Sequence, residues 1–374
     1  MGILTRTIAN NLGENPNPGV NFRNFIINGK MIFDRRGGPY TSNGYTLDRW
    51  TMDESTDGAV TVSQSGDVPA GTNFSSALKI DVTTADASIG AAQYCGLTQF
   101  IEGQNMVTAN YGTSDAENMM LSFWVKSNKT GIYCVRFVKE AGDGTRYETP
   151  IEYTISASNT WEKKTISLSP TAGGTALITA SAGAIKKNAN AGFRIMFSHA
   201  VGSNYQATNN TWVAGSDKMG TSNSVNLLDS DSNEWYLTGV QLEVGSSTTS
   251  FEHLPEDVEL NRCLRYYFKV QGGPSQNYMN FGMTSTNGTN SIMFMHFPQM
   301  LRGNATISSN GTFSSNVPYG AGYENTSAGP SLGDMGPNMC RIDFTTPTSH
   351  AAGLNGRILL LNDGTGYIDF DAEL

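Results

Sequence analysis

Long apolar runs, basic clusters, closely spaced histidines and paired cysteines are all missing from this 374-residue chain. No stretch of about 18 apolar residues occurs, so no membrane-crossing helix is expected. Residues 1–11 lack the apolar core of a secretion signal, which points to assembly in a cytoplasm. Gly2 could open a myristoylation motif, but Arg6 stands where that motif requires Ser or Thr. Lys and Arg number 24 against 33 Asp and Glu, a net charge of −9, with no basic run. Phosphate binding needs clustered cations, so a nucleic-acid partner is excluded. Cys95, Cys134, Cys263 and Cys340 follow no C-x-x-C spacing. A domain of this size needs no staple, so buried thiols are expected, although one disulfide in each half is formally possible. His199, His253, His296 and His350 form no H-E-x-x-H, and no nucleophile elbow, P-loop or dinucleotide fingerprint appears. The chain is therefore expected to be non-enzymatic and to need no cofactor. Carboxylate pairs for glycoside hydrolysis are set in space, and the sequence nominates none.

Small and polar residues fill the chain instead: 41 Gly, many Ser, Thr and Asn, and only 38% hydrophobic and 15% charged residues. Such a mixture suits short strands joined by polar turns. Leu78, Ile80 and Val82 alternate with Lys79 and Asp81, as a half-buried strand does. Residues 119–126 and 131–139 read as two strands of a hairpin across the turn at 127–131. Phe193, Ile195 and Phe197 mark another strand, and residues 24–33 read as a strand or strand pair with an Asn28-Gly29 turn. Residues 235–242 form the strand around which the rest is arranged, with Tyr236, Val240 and Leu242 assigned to one face. Pro255 can open a helix whose acidic first turn (Glu256, Asp257, Glu259) and basic end (Arg262, Arg265) match the helix dipole. Leu260, Leu264 and Tyr267 would be its apolar stripe. Beyond it, strands are expected at 266–270, at 292–297 and in a late hairpin, 357–361 with 366–370, across Asn362-Asp363-Gly364. The fold class is all-β: a β-sandwich, a short helix and a smaller C-terminal β-sandwich.

Several segments resemble tailed-bacteriophage tail-fibre and virion appendage proteins. The strongest is GVQLEVGS…FEH…ELNRCLRYYF at 239–268. A second, near the start of the first domain, carries Asn24, Asn28, Gly29, Met31, Arg36, Gly37, Asp48, Arg49 and Trp50. LSFWVKSNKTG, TWEKKTIS and the terminal GYIDFDAEL are similar to the family as well. The resemblance implies a jelly-roll domain like that of carbohydrate-binding modules, a non-enzymatic virion role and a homotrimer. It divides the chain into an anchoring peptide at 1–21, a jelly roll at 22–251, a hinge at 252–260 and a C-terminal β-domain at 261–374. The implied partners are other virion proteins, at a tail adaptor or nozzle or on the capsid, and a host-surface glycan or protein. The alternatives are a head-decoration or head-fibre protein and a plain carbohydrate-binding module or glycanase.

Candidate sites are few. Residues 1–22 are polar and rich in Asn, Gly and Pro, as expected of a peptide docked on a partner or folded back on its own domain. Leu4, Arg6, Ile8 and Asn11 are its anchoring candidates. The polar excursion at 198–230 carries Tyr205 and Trp212, either a stacking platform for a glycan or peptide or plugs against the same domain or a symmetry mate. Asp229, Asp231 and Asn233 imitate the start of an EF-hand loop, but Glu234 replaces the required Gly and Val240 the closing Glu. Asp48 and Arg49 are expected to form a structural ion pair beside a buried Trp50.

Overall fold

In the N-terminal two thirds of the chain, strands sort into two antiparallel sheets whose inner faces share one core. The computed structural model describes residues 22–141, 145–215, 217–271, 278–316, 324–326, 328–361 and 366–374. Two units divide between Pro255 and Glu256. The first contains a seven-stranded sheet ordered β1 (Gly44–Tyr45), β2 (Thr51–Ser55), β5 (Tyr94–Glu102), β10 (Ala191–Val201), β7 (Gly131–Lys139), β8 (Tyr147–Ile155), β11 (Val213–Ala214). The facing five-stranded sheet runs β3 (Ala59–Ser65), β4 (Ala77–Thr84), β12 (Glu234–Val244), β6 (Met119–Ser127), β9 (Glu162–Leu168). From β4 to β7 every connection crosses from one sheet to the other, the wiring of a jelly-roll sandwich. The alternating residues named above meet in its core: Leu78, Ile80, Val82, Phe193, Ile195 and Phe197 are all buried there.

That wiring corrects one expectation. β6 and β7 are the segments read as a hairpin, yet β6 pairs with β12 and β9, while β7 pairs with β10 and β8. Gly131, at φ 132°, turns the chain across the core instead of back along β6. Both strands bury one alternating face, so local pattern could not distinguish a hairpin from a crossing.

β12 corrects another. Gly239 takes φ 61° and the pairing with β6 shifts between Thr238 and Gln241, a bulge that reverses the side-chain parity. Trp235 and Leu237 face the core before the bulge, and Val240 and Leu242 after it. Tyr236 therefore points outward, where the Lys126 ammonium lies 4.2 Å from its ring centroid.

The same bulge explains why residues 24–33 form no strand. β4 accompanies β12 only as far as the Leu237–Leu78 pair, and the segment from Asn24 takes over that edge. Phe25 N–H donates to the Leu242 carbonyl at 2.9 Å and Val240 N–H to the Gly29 carbonyl at 3.0 Å. The Asn24 amide accepts from Leu242 N–H at 3.0 Å and donates to the Val240 carbonyl at 3.0 Å. Gln99 binds both backbone groups of Ile27, at 2.8 and 2.9 Å. Side-chain amides thus replace a strand ladder where Asn28 and Met31, at φ 57° and 59°, bend the chain. Gly29 sits so close to β12 that an added Cβ would collide with the Val240 carbonyl oxygen. Gly29→Ala should therefore lower the urea unfolding free energy by about 1–3 kcal/mol. Gly66→Ala, where a Cβ meets open space, should not; equal midpoints for the two variants would contradict the close approach.

Asp48 pairs with Arg35 (2.7 Å) instead of Arg49, whose guanidinium donates to the Phe100 carbonyl at 2.6 Å. Arg49 has φ 73°, which turns its side chain away from Asp48. Trp50 is buried and donates its indole N–H to the Asn28 carbonyl at 3.3 Å.

The second unit opens with α1 (Glu256–Leu264), which buries Glu259, Cys263 and Leu264 while Leu260 is half-buried. Tyr267 begins the next strand, so the expected stripe is one residue out of phase and shorter by a turn. A three-stranded sheet is ordered β13 (Tyr267–Gln271), β21 (Tyr367–Asp371), β15 (Thr306–Asn310). A six-stranded sheet is ordered β17 (Glu324–Asn325), β16 (Thr312–Asn316), β20 (Asn355–Leu361), β14 (Tyr278–His296), β19 (Met339–His350), β18 (Ala328–Met335). Met293, Met295 and Phe344 from the six-stranded sheet pack with Ile368 and Phe370 from the other, making a second sandwich. The expected late hairpin is not one: β20 and β21 belong to different sheets. Its turn residues, Asn362, Asp363 and Gly364, lie outside the described residues. All four cysteines are buried, and Cys95, Cys134 and Cys340 are free thiols.

Candidate functional site

Tyr205 and Trp212 do not share a platform. Trp212 is 1% exposed, donates its indole N–H to the Ser169 carbonyl at 2.8 Å and meets Tyr111 edge-on. A ring enclosed this way offers no face to a ligand, so Trp212 is a core residue. Tyr205 is half-buried and stands edge-to-face against Tyr94, with centroids 5.2 Å apart.

The EF-hand-like residues are also accounted for by the fold. The Lys129 ammonium binds one carboxylate oxygen of Asp229, and the Asn233 amide donates to the other at 2.7 Å. Asn233 also donates to the Leu227 carbonyl, and Asp231 is exposed. An ammonium thus holds the position a cation would take. Among the described residues no group of three His, Cys, Asp or Glu is placed to hold a metal. Leu4, Arg6, Ile8 and Asn11 lie outside the described residues.

Tyr94 and Tyr205 belong to the outer face of the seven-stranded sheet. That face carries an ion-pair network. Arg136 Nε bonds Glu148 at 2.8 Å and its Nη2 bonds Asp217 at 3.0 Å. Arg146 joins Asp217 at 3.0 Å to Glu140 at 3.4 Å, and Arg194 meets Glu140 at 2.7 Å while stacking over Phe100. Residues 202–224 are laid over part of this network. Lys218 N–H donates to Glu148 at 2.9 Å, Ser198 Oγ to the Met219 carbonyl at 2.6 Å, and Thr221 Oγ1 to Glu152 at 2.6 Å. The expected polar excursion is therefore mostly a cover on a sheet face.

At the edge of the cover a patch stays accessible. Tyr94 is half-buried and donates its hydroxyl to the exposed Asp53 at 3.1 Å. Burial first, then Asp53, Tyr205 and Asp217, push the Tyr94 phenol up to about 12, so it stays a neutral donor. Burial acts to raise the Asp217 carboxyl as well, but the Arg136 hydrogen bond and the Arg136, Arg146 and Arg194 charges outweigh it and hold that carboxyl below its ordinary value. Asp217 keeps 47% of its side chain exposed and sits at φ 60°, an uncommon backbone state for a non-glycine residue. The result is two aromatic rings beside two carboxylates. A second cleft, lined by Tyr40, Asn43, Met52 and Glu54, holds about 30 Å³, room for water and not for a sugar ring.

Tyr94, Asp53 and Asp217 are absent from the sequence-based candidates. Tyr94 opens the alternation Tyr94, Gly96, Thr98, Phe100 opposite Cys95, Leu97 and Ile101, so its outward direction was readable. Its meeting with Tyr205, 111 residues along, was not.

No protein-family model matches the chain, and no curated protein matches it. Among solved structures, the enzymatically active domain of bacteriophage CBA120 tailspike protein 4 is 16% identical with a TM-score of 0.33, covering 59% of this chain and 21% of its own. A putative sugar-binding protein from Bacteroides thetaiotaomicron is 13% identical with a TM-score of 0.34, covering 60% of this chain and 100% of its own. A family 61 carbohydrate-binding module in complex with β-1,4-galactotriose is 12% identical with a TM-score of 0.30, covering 60% and 100%.

Proposed function

We propose that this chain is a non-enzymatic bacteriophage virion appendage that attaches to a host-surface glycan through the Tyr94–Tyr205 patch. The observation that carries the glycan reading is the juxtaposition of two half-exposed aromatic rings with the Asp53 and Asp217 carboxylates. Sugar rings present an apolar C–H face that aromatic rings can cover, and hydroxyls that ionised carboxylates accept strongly. The site is shallow and its ion pairs are already formed, so a single copy binds weakly. Several copies in a trimer would raise the overall affinity through effective concentration. The virion role is supported by the segmental resemblance described above, with residues 1–21 as the peptide that docks on the particle, at the tail or, in the second reading, on the capsid.

Tyr94→Ala and Tyr205→Ala should each weaken glycan binding about tenfold or more while leaving thermal unfolding within a few degrees of the parent. Titration against a glycan found on an array checks this. Unchanged affinity in both variants would remove the patch from consideration. Imaging of the intact particle tests the virion role, and absence of the chain from it would end that reading.

A further inference from the structure

We infer that the ligand of the Tyr94–Tyr205 patch is an uncharged glycan, and that the patch turns away acidic polysaccharides. This rests on the glycan reading and deepens it from the arrangement of charge. Asp53 accepts from the Tyr94 hydroxyl at 3.1 Å, and the Met219 N–H bond to the Tyr205 carbonyl at 2.7 Å brings the half-exposed Asp217, two residues earlier, to the same side of the patch. The nearby arginines are already engaged. Arg136 is held by Glu148 and Asp217, Arg146 by Asp217 and Glu140, and Arg194 by Glu140. The Lys218 ammonium donates to the Asn204 carbonyl at 2.7 Å, a bond that orients it and leaves its charge in place. A uronate, sialate or phosphate group entering here would meet two fixed carboxylates, with no arginine to receive it unless an existing ion pair is broken. Hydroxyl groups face no such barrier, because each can donate to Asp53 or Asp217 while the Tyr94 phenol keeps its bond to Asp53. The two carboxylates and the engaged arginines therefore disfavour one ligand class, while the rings and carboxylates suit the other.

The test is direct binding of the full chain to matched neutral and acidic polysaccharides, such as galactan against polygalacturonate and dextran against dextran sulfate, at low and at high salt. The expected result is binding to a neutral member that salt leaves unchanged, with acidic members bound at least about tenfold more weakly at low salt. Asp53→Lys, at an exposed position, should gain acidic-polysaccharide binding that rises as salt is lowered. Tighter binding of the parent chain to an acidic member, weakened by salt and by Tyr94→Ala, would overturn the inference while leaving a glycan site in place. Failure of the folded protein to bind any member of either set would overturn the glycan reading and this inference with it.

Discussion

Truncating Arg136 to alanine should cost the first unit about 3–5 kcal/mol, because it leaves the Glu148 carboxylate without its cation in a site closed to solvent. The Arg136 side chain is 1% exposed and that of Glu148 is 0% exposed. Glu148 accepts from Arg136 and from Lys218 N–H, so the carboxylate also holds the cover segment to the sheet. Arg136→Ala should lower the urea midpoint sharply and raise proteolysis within residues 202–224. The double replacement Arg136→Met with Glu148→Leu should recover much of the unfolding free energy, since an apolar pair removes both desolvation penalties. It should not recover glycan binding, because Asp217 then loses a guanidinium that positions it. Recovery of both properties, or of neither, would mean that the network does something other than fix the cover.

Acid should destabilise this protein well before its carboxylates titrate. His199 is fully buried beside Trp235, with ring centroids 4.5 Å apart, and neither ring nitrogen has a hydrogen-bond partner. Burial drives its pKa from 6.5 down to about 3. Above pH 6.5 the ring is neutral in both the folded and the unfolded chain, so the full stability is present. As the pH falls below 6.5 the unfolded chain takes up a proton that the folded chain refuses until near pH 3. Stability then drops with a slope that approaches about 1.4 kcal/mol per pH unit, a loss of about 2 kcal/mol between pH 6.5 and 4.5. Asp67, Glu162, Asp217 and Glu234 are held below their ordinary values, so their contribution is lost at lower pH and does not obscure this window. His253 is shifted down as well, by burial and then by Lys30, and adds in the same direction. His199→Phe should flatten the pH dependence of unfolding between 6.5 and 4.5, whereas His253→Asn should only trim it. A slope unchanged in His199→Phe would assign the acid sensitivity elsewhere.

What could be read from the sequence was what depends on neighbours in the chain. β4 declared itself through Leu78, Ile80 and Val82, and α1 through Pro255 and its charge order, because alternation and helix termini are local signals. Sheet membership is not local. The strands on either side of the turn at 127–131 looked paired and are not, and the same error arose for β20 and β21. One glycine was enough to invert a strand, since the bulge at Gly239 moved Tyr236 from the expected core face to the outside. Trp212 was left open between platform and plug for a different reason. Its neighbours in the chain are polar, but its neighbours in space are Tyr111 and the Ser169 backbone. The site itself draws on β2, β5 and the cover segment, so only Tyr205 could be nominated in advance.

The edge of β12 that the N-terminal segment borrows has a mechanical consequence. Where the chain enters the first unit, Arg23 and Asn24 donate backbone N–H groups to Glu252, and the Arg23 side chain reaches the Ser250 carbonyl and Glu243. The points at which the polypeptide joins and leaves the sandwich are therefore clipped together. Tension applied along the chain would run across this short clip and bypass the two sheets, which hang from the load path as a pendant. The first thing to yield under such a load is an ion pair that re-forms, not the fold.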